Sequence, residues 1–100
     1  MPSLNMSAAH ALGADEALRR LKEKFHAVHQ AYGAQVSDLR ETWEGNVLSF
    51  GFKAMGMKVA GTVTVEDGQV RLAADIPLAA LMFRGLIEQR IRQELGALLA

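Results

Sequence analysis

Two dipeptides constrain this chain more than any other feature. Gly45-Asn46 and Asp67-Gly68 each lie between stretches of alternating apolar and polar residues, and two-residue hairpin loops favour such pairs because their turns need backbone angles that glycine, asparagine and aspartate tolerate. Taken as loops, they set a register. Glu44 then faces Val47 and Trp43 faces Leu48, which puts Trp43, Leu48, Phe50 and Phe52 on one face, joined by Leu39. Glu66 faces Gln69 and Val65 faces Val70, so Val59, Val63, Val65, Val70 and Leu72 form one apolar surface. The reverse face carries Arg40, Thr42, Glu44, Ser49, Lys53, Lys58, Thr62, Thr64, Arg71 and Asp75. That is the one-sided pattern of an antiparallel sheet with solvent behind it.

The flanks supply the second layer. Ser3 to Ala9 alternates, with Leu4, Met6 and Ala8 on one side, and reads as a half-buried strand. A helix is expected from about Ala14, with Asp15 and Glu16 at its positive end. Leu18, Leu21, Phe25, Val28 and Tyr32 then recur at helical spacing, and Gly33 is expected to end the helix in the left-handed conformation. Ile76-Pro77 breaks the sheet. From Leu78 to about Leu99 a second helix is expected, with Phe83, Ile87, Ile91, Leu95 and Leu98 as its stripe and Glu88 paired with Arg92. The fold expected is α+β in two layers, an antiparallel sheet with two helices on one face, in the order β-α-β-β-β-β-α.

A chain of 100 residues has room for one core, so residues 1–100 are read as a single domain. Eleven basic residues balance eleven acidic ones, so no positive field is available to drive nucleic-acid binding. Near-zero charge also weakens self-repulsion and leaves a homodimer open. With no cysteine, disulfides, thiolate catalysis and Cys-ligated zinc are excluded. No signal-peptide pattern and no run of about 20 apolar residues occurs, so a cytoplasmic chain without a transmembrane segment is expected.

Several segments carry a resemblance. His10-Ala11-Leu12-Gly13, Trp43-Glu44-Gly45-Asn46-Val47-Leu48-Ser49-Phe50, Gly61-Thr62-Val63-Thr64-Val65 with Val70 and Leu72, and Leu81-Met82-Phe83-Arg84-Gly85-Leu86-Ile87-Glu88 resemble the polyhydroxyalkanoic acid system proteins. The match spans nearly the whole chain. It implies an accessory of storage-polyester granules, acting in their formation or regulation, with no catalytic residues and no cofactor. The element order is also similar to a shortened helix-grip fold, in which a C-terminal helix lies across a curved sheet.

Candidate chemistry is sparse. His26 and His29 are three apart on the first helix, but a zinc site needs three or four ligands and nothing completes one, so a solvated face is expected and no metal. His10 precedes a turn and is expected to make a local hydrogen bond. Glu41, Glu44, Glu66, Asp67 and Asp75 are placed at turns or on the polar sheet face, as ordinary carboxylates rather than an acid/base pair. Gly51, Gly56 and Gly61 are expected to mark bends or close packing.

One excess stands out. Leu78-Ala79-Ala80-Leu81-Met82-Phe83 and Leu86-Ile87 are too many apolar residues for one helix to turn toward one sheet. Leu81, Met82 and Leu86, with Met55 and Met57 in the preceding loop, therefore contact either the first helix or an outside surface: a polyester granule, a granule-associated protein, a lipid-like ligand or a second subunit. The function expected is a non-catalytic granule accessory using this surface. The alternative is a small helix-grip-like module holding a lipid-like ligand between sheet and C-terminal helix. Such pockets measure about 300–1,000 Å³, and a chain this short leaves little room for one.

Overall fold

Both dipeptides form the expected loops: Glu44 pairs with Val47 across Gly45-Asn46, and Val65 with Val70 across Asp67-Gly68. Gly45 takes the positive φ, 58°, that such a loop requires. Asn46 then ties this turn to a third strand, its carbonyl oxygen accepting the Val65 N–H at 2.9 Å and its side-chain amide donating to the Val65 carbonyl.

The computed structural model of the chain describes residues 3–54 and 56–100, with the backbone alone at Tyr32 and Ala54. In chain order the elements are β1 (Ser3–Ala9), α1 (Ala14–Tyr32), β2 (Ser37–Glu44), β3 (Val47–Ala54), β4 (Met57–Val65), β5 (Gln69–Asp75), a 3₁₀ segment (Leu78–Phe83) and α2 (Arg84–Leu99). The strands form one antiparallel sheet in the order β1-β5-β4-β3-β2. The meander β2 to β5 builds four neighbours by hairpins, and β1 completes the sheet by pairing with β5. As β1 and β2 lie at opposite edges, α1 must cross one face of the sheet to connect them.

Cross-strand rows show which residues share that face. Trp43, Leu48, Val63, Leu72 and Met6 form one row, and Glu41, Phe50, Gly61, Ala74 and Leu4 the next. The reverse rows are polar or small, as in Thr42, Ser49, Thr62, Ala73 and Asn5. Leu48, Val63, Val65 and Val70 meet Ala17 and Leu21 of α1 and Leu99 of α2 in the main core. Leu4, Met6, Ala74 and Ile76 form a smaller core, covered by Ile87 and Ile91.

The cover is uneven. α1 packs on β4 and α2 on β1, which leaves the β2–β3 side of the sheet less sheltered. Trp43, Phe50 and Phe52 on that side are accordingly only half-buried despite lying on the apolar face, and Leu72 of β5 is half-buried too. Glu41, expected on the polar face or at a turn, instead faces the helix layer opposite Phe50. On the outer edge, β2 bulges between Ser37 and Arg40, with Asp38 at φ 53°; such a kink interrupts the edge against further strand pairing.

The helices depart from expectation in three places. Gly33 ends α1 in the right-handed region, φ −58°, its N–H donating to the His29 carbonyl at 2.8 Å. The second helix is not continuous. Its first six residues form the 3₁₀ segment, and Phe83, at φ −101° and ψ 10°, breaks the helical register, so its side chain leaves the stripe for solvent. Glu88 pairs with Arg84 at 3.0 Å rather than with Arg92.

Candidate functional site

The first candidate is the 3₁₀ segment before α2 together with the first turn of α2, which holds Leu86. Successive 3₁₀ residues are about 120° apart, so apolar residues placed there spread around the axis and cannot share one buried face. Leu78 is 73% exposed, Leu81 38%, Met82 82%, Phe83 55% and Leu86 69%. Of the two options for Leu81, Met82 and Leu86, the structure leaves them open to solvent rather than covered by α1. Met57 is half-buried in β4, opposite Ala54, and Met55 lies outside the described residues.

The second candidate was not foreseen at these residues. Two residues, Arg20 and Lys24, clasp the middle of α1 to the C-terminal end of α2. Arg20 Nη1 donates to the carbonyl oxygens of Leu98 at 3.0 Å and Ala100 at 2.8 Å, and Lys24 Nζ meets Glu94 Oε2 at 3.0 Å. The Lys24 ammonium holds the Glu94 carboxyl below its usual range. Beyond Lys24, among the described residues, no ion pair links the two helices, and there the layer opens over β2 and β3. The result is an open-sided cavity of about 370 Å³.

Its walls come from every layer. Phe25 and Val28 of α1, Val36 just before β2, Leu39 within it, Phe50 and Phe52 of β3, and Ile91 and Leu95 of α2 all line it. Phe25 anchors the aromatic floor, with ring centroids 6.2 Å from both Trp43, edge to face, and Phe50. Lys22 Nζ lies 5.4 Å from the Trp43 ring centroid, close enough for a cation–π contact. Polar residues stand at the rim: His29 is exposed, and Glu41 accepts a hydrogen bond from Trp43 Nε1 at 2.9 Å.

Elsewhere the polar groups are engaged structurally. His10 accepts the Leu12 N–H on Nδ1 at 3.2 Å, which assigns the proton to Nε2 for donation to the Glu66 carbonyl at 2.9 Å. His26 and His29 are exposed on α1. Among the described residues no three His, Cys, Asp or Glu side chains gather as a metal site would need, and no described helix is long and apolar enough to cross a membrane.

The family model described as "putative polyhydroxyalkanoic acid system protein" matches residues 4–99. The chain belongs to this family. No curated protein and no solved structure matches it. In this polyhydroxyalkanoic acid system protein the matched span runs from Leu4 in β1 to Leu99 in α2, so the exposed segment and the cavity both fall inside it.

The cavity was missed because it depends on where two helices part. One signal was present: Val36 follows Gly33 as an apolar residue outside both the helical and the strand pattern, three residues before Leu39 of the apolar sheet face. Both turn out half-buried, closing the cavity at the entry to β2.

Proposed function

We propose that this chain is a non-catalytic accessory of polyhydroxyalkanoate storage, cytoplasmic and granule-associated, that acts in granule formation or regulation by laying an apolar segment on the polyester or on a granule protein. The observation that carries the reading is the exposure of Leu78, Leu81, Met82, Phe83 and Leu86 within nine residues, in a chain of a polyester-storage family. Burying such a side chain contributes roughly 1.5–3 kcal/mol, so a few of them suffice to hold a small domain at an interface. The non-catalytic part is supported by His10, whose two ring nitrogens are both engaged by backbone groups.

Recovery of granules from cells tests it. The wild-type chain should sediment with granules, and the variant carrying Leu81→Ser, Met82→Gln and Leu86→Gln should fold normally and stay in the supernatant. A folded variant that still sediments places the contact elsewhere. One that unfolds returns these residues to the core. Sedimentation of the purified chain as a dimer, lost in the same variant, would make a second copy the partner instead.

The cavity favours a second reading, a helix-grip-like module that holds an apolar ligand between sheet and α2. Its volume of about 370 Å³ falls inside the range of small-molecule pockets, about 300–1,000 Å³, despite the shortness of the chain.

A further inference from the structure

We infer that the cavity takes a single unbranched hydrocarbon chain, on the order of ten to fifteen carbons, and excludes the polyester main chain. This rests on the second reading above and is independent of the exposed segment. An apolar cavity of about 150 Å³ holds one benzene ring of six carbons, so about 370 Å³ accommodates up to roughly two and a half times as many.

The wall chemistry selects among apolar ligands. Phe25, Leu39, Phe50, Phe52, Ile91 and Leu95 present carbon to the interior, and no side-chain donor reaches inward from them. A polyester repeats an ester carbonyl every few atoms. His29 and Arg40, the lining residues that carry side-chain donors, are both exposed, so each carbonyl drawn among the carbon walls would leave water without gaining a donor, a loss of roughly fivefold to a hundredfold in affinity per group. An alkyl chain has no such groups, and its one polar end has a place to go. The rim is open at Val28, 39% exposed, beside exposed His29 and Glu41, so the head stays in water.

Trp43 is the sole tryptophan and packs on Phe25, a wall residue, so its fluorescence reports occupancy. The full chain is titrated with n-alkanols and n-alkanoates of six to eighteen carbons, each below its micelle concentration. Saturable binding should tighten about fourfold per added methylene and level off on the order of ten to fifteen carbons. Alcohol and carboxylate of equal length should agree within about threefold, since solvent screens an exposed head. Val36→Phe and, separately, Val28→Phe put a ring into the cavity or its mouth. Either, once shown to fold, should weaken the longest chains by more than about tenfold through lost methylene contacts.

The inference is overturned by affinity that rises with length without levelling, by folded Val36→Phe and Val28→Phe variants that bind as wild type, or by soluble hydroxyacid ester oligomers that compete with the alkanol. The Leu81→Ser, Met82→Gln, Leu86→Gln variant separates the two sites. Retained alkanol binding supports the cavity whatever happens to granule association, and lost alkanol binding in the folded variant moves the ligand to the exposed segment.

Discussion

Asp67 caps the helix that Ala14 begins: its Oδ1 accepts the Ala14 N–H at 3.2 Å, from the turn between β4 and β5. The residue in the capping position, Gly13, has no side chain to do this and turns at φ 81°. His10 fastens the same turn, its N–H donating to the Gly68 carbonyl at 3.0 Å and its ring to Glu66. The start of α1 and the end of the meander therefore stabilise one another.

Asp67→Ala should lower stability by about 0.5–2 kcal/mol, the range for loss of a helix cap, while Asp67→Asn keeps an acceptor and most of the stability. Urea denaturation measures both. Equal losses for the two variants would assign the effect to charge rather than to capping.

Gly61→Ala should destabilise although it adds only a methyl group. A Cβ there would lie 2.8 Å from Ala74 Cα and 2.9 Å from its Cβ, and closer still to the Ala73 carbonyl oxygen. Backbone cannot yield as a flexible side chain does, so the overpacking loss of about 1–3 kcal/mol applies. Gly51→Ala, whose Cβ would meet Val59 O at 3.6 Å, is the control and should cost less.

Leu48→Ala should cost about 2–5 kcal/mol, because Leu48 is fully enclosed in the main core. Trp43→Ala removes a larger side chain but a half-buried one, and should cost less than the roughly 3–5 kcal/mol of a fully buried aromatic. Denaturation of the two variants side by side checks the uneven helix cover.

Acid should weaken the fold through Glu16. Hydrogen bonds from Arg19, then from Arg20, lower its pKa from 4.5 to about 2. A carboxylate whose folded pKa is depressed contributes stability above its unfolded pKa and loses it as pH falls through the folded one. The contribution is therefore complete above about pH 4.5 and gone near pH 2. The site faces solvent, so the step should be small and shrink with salt. Melting temperatures over this window should fall less steeply for Glu16→Gln than for wild type; parallel curves would remove Glu16 from the account.

Much of the fold was legible in the residues alone, for a local reason. Hairpin loops are specified by adjacent residues, and a side-chain period of two then carries the register from Gly45-Asn46 to Trp43 and Leu48, and from Asp67-Gly68 to Val65 and Val70. The spacing of Leu18, Leu21 and Phe25 likewise needs only the helical repeat, and the apolar excess at Leu81, Met82 and Leu86 follows from counting one helix face.

What only the tertiary structure decided depends on how separate elements meet. The bulge between Ser37 and Arg40 breaks the period of two at the outer edge of the sheet, where no adjacent residues specify a turn. The break at Phe83 separates a 3₁₀ segment from α2 and exposes the Phe83 side chain that a continuous helix would have kept in its stripe. The cavity exists because α1 and α2 are clasped at Arg20 and Lys24 and part beyond them. No local pattern encodes the distance between two helices, since it is set by the side chains that happen to fill, or leave unfilled, the space between them and the sheet.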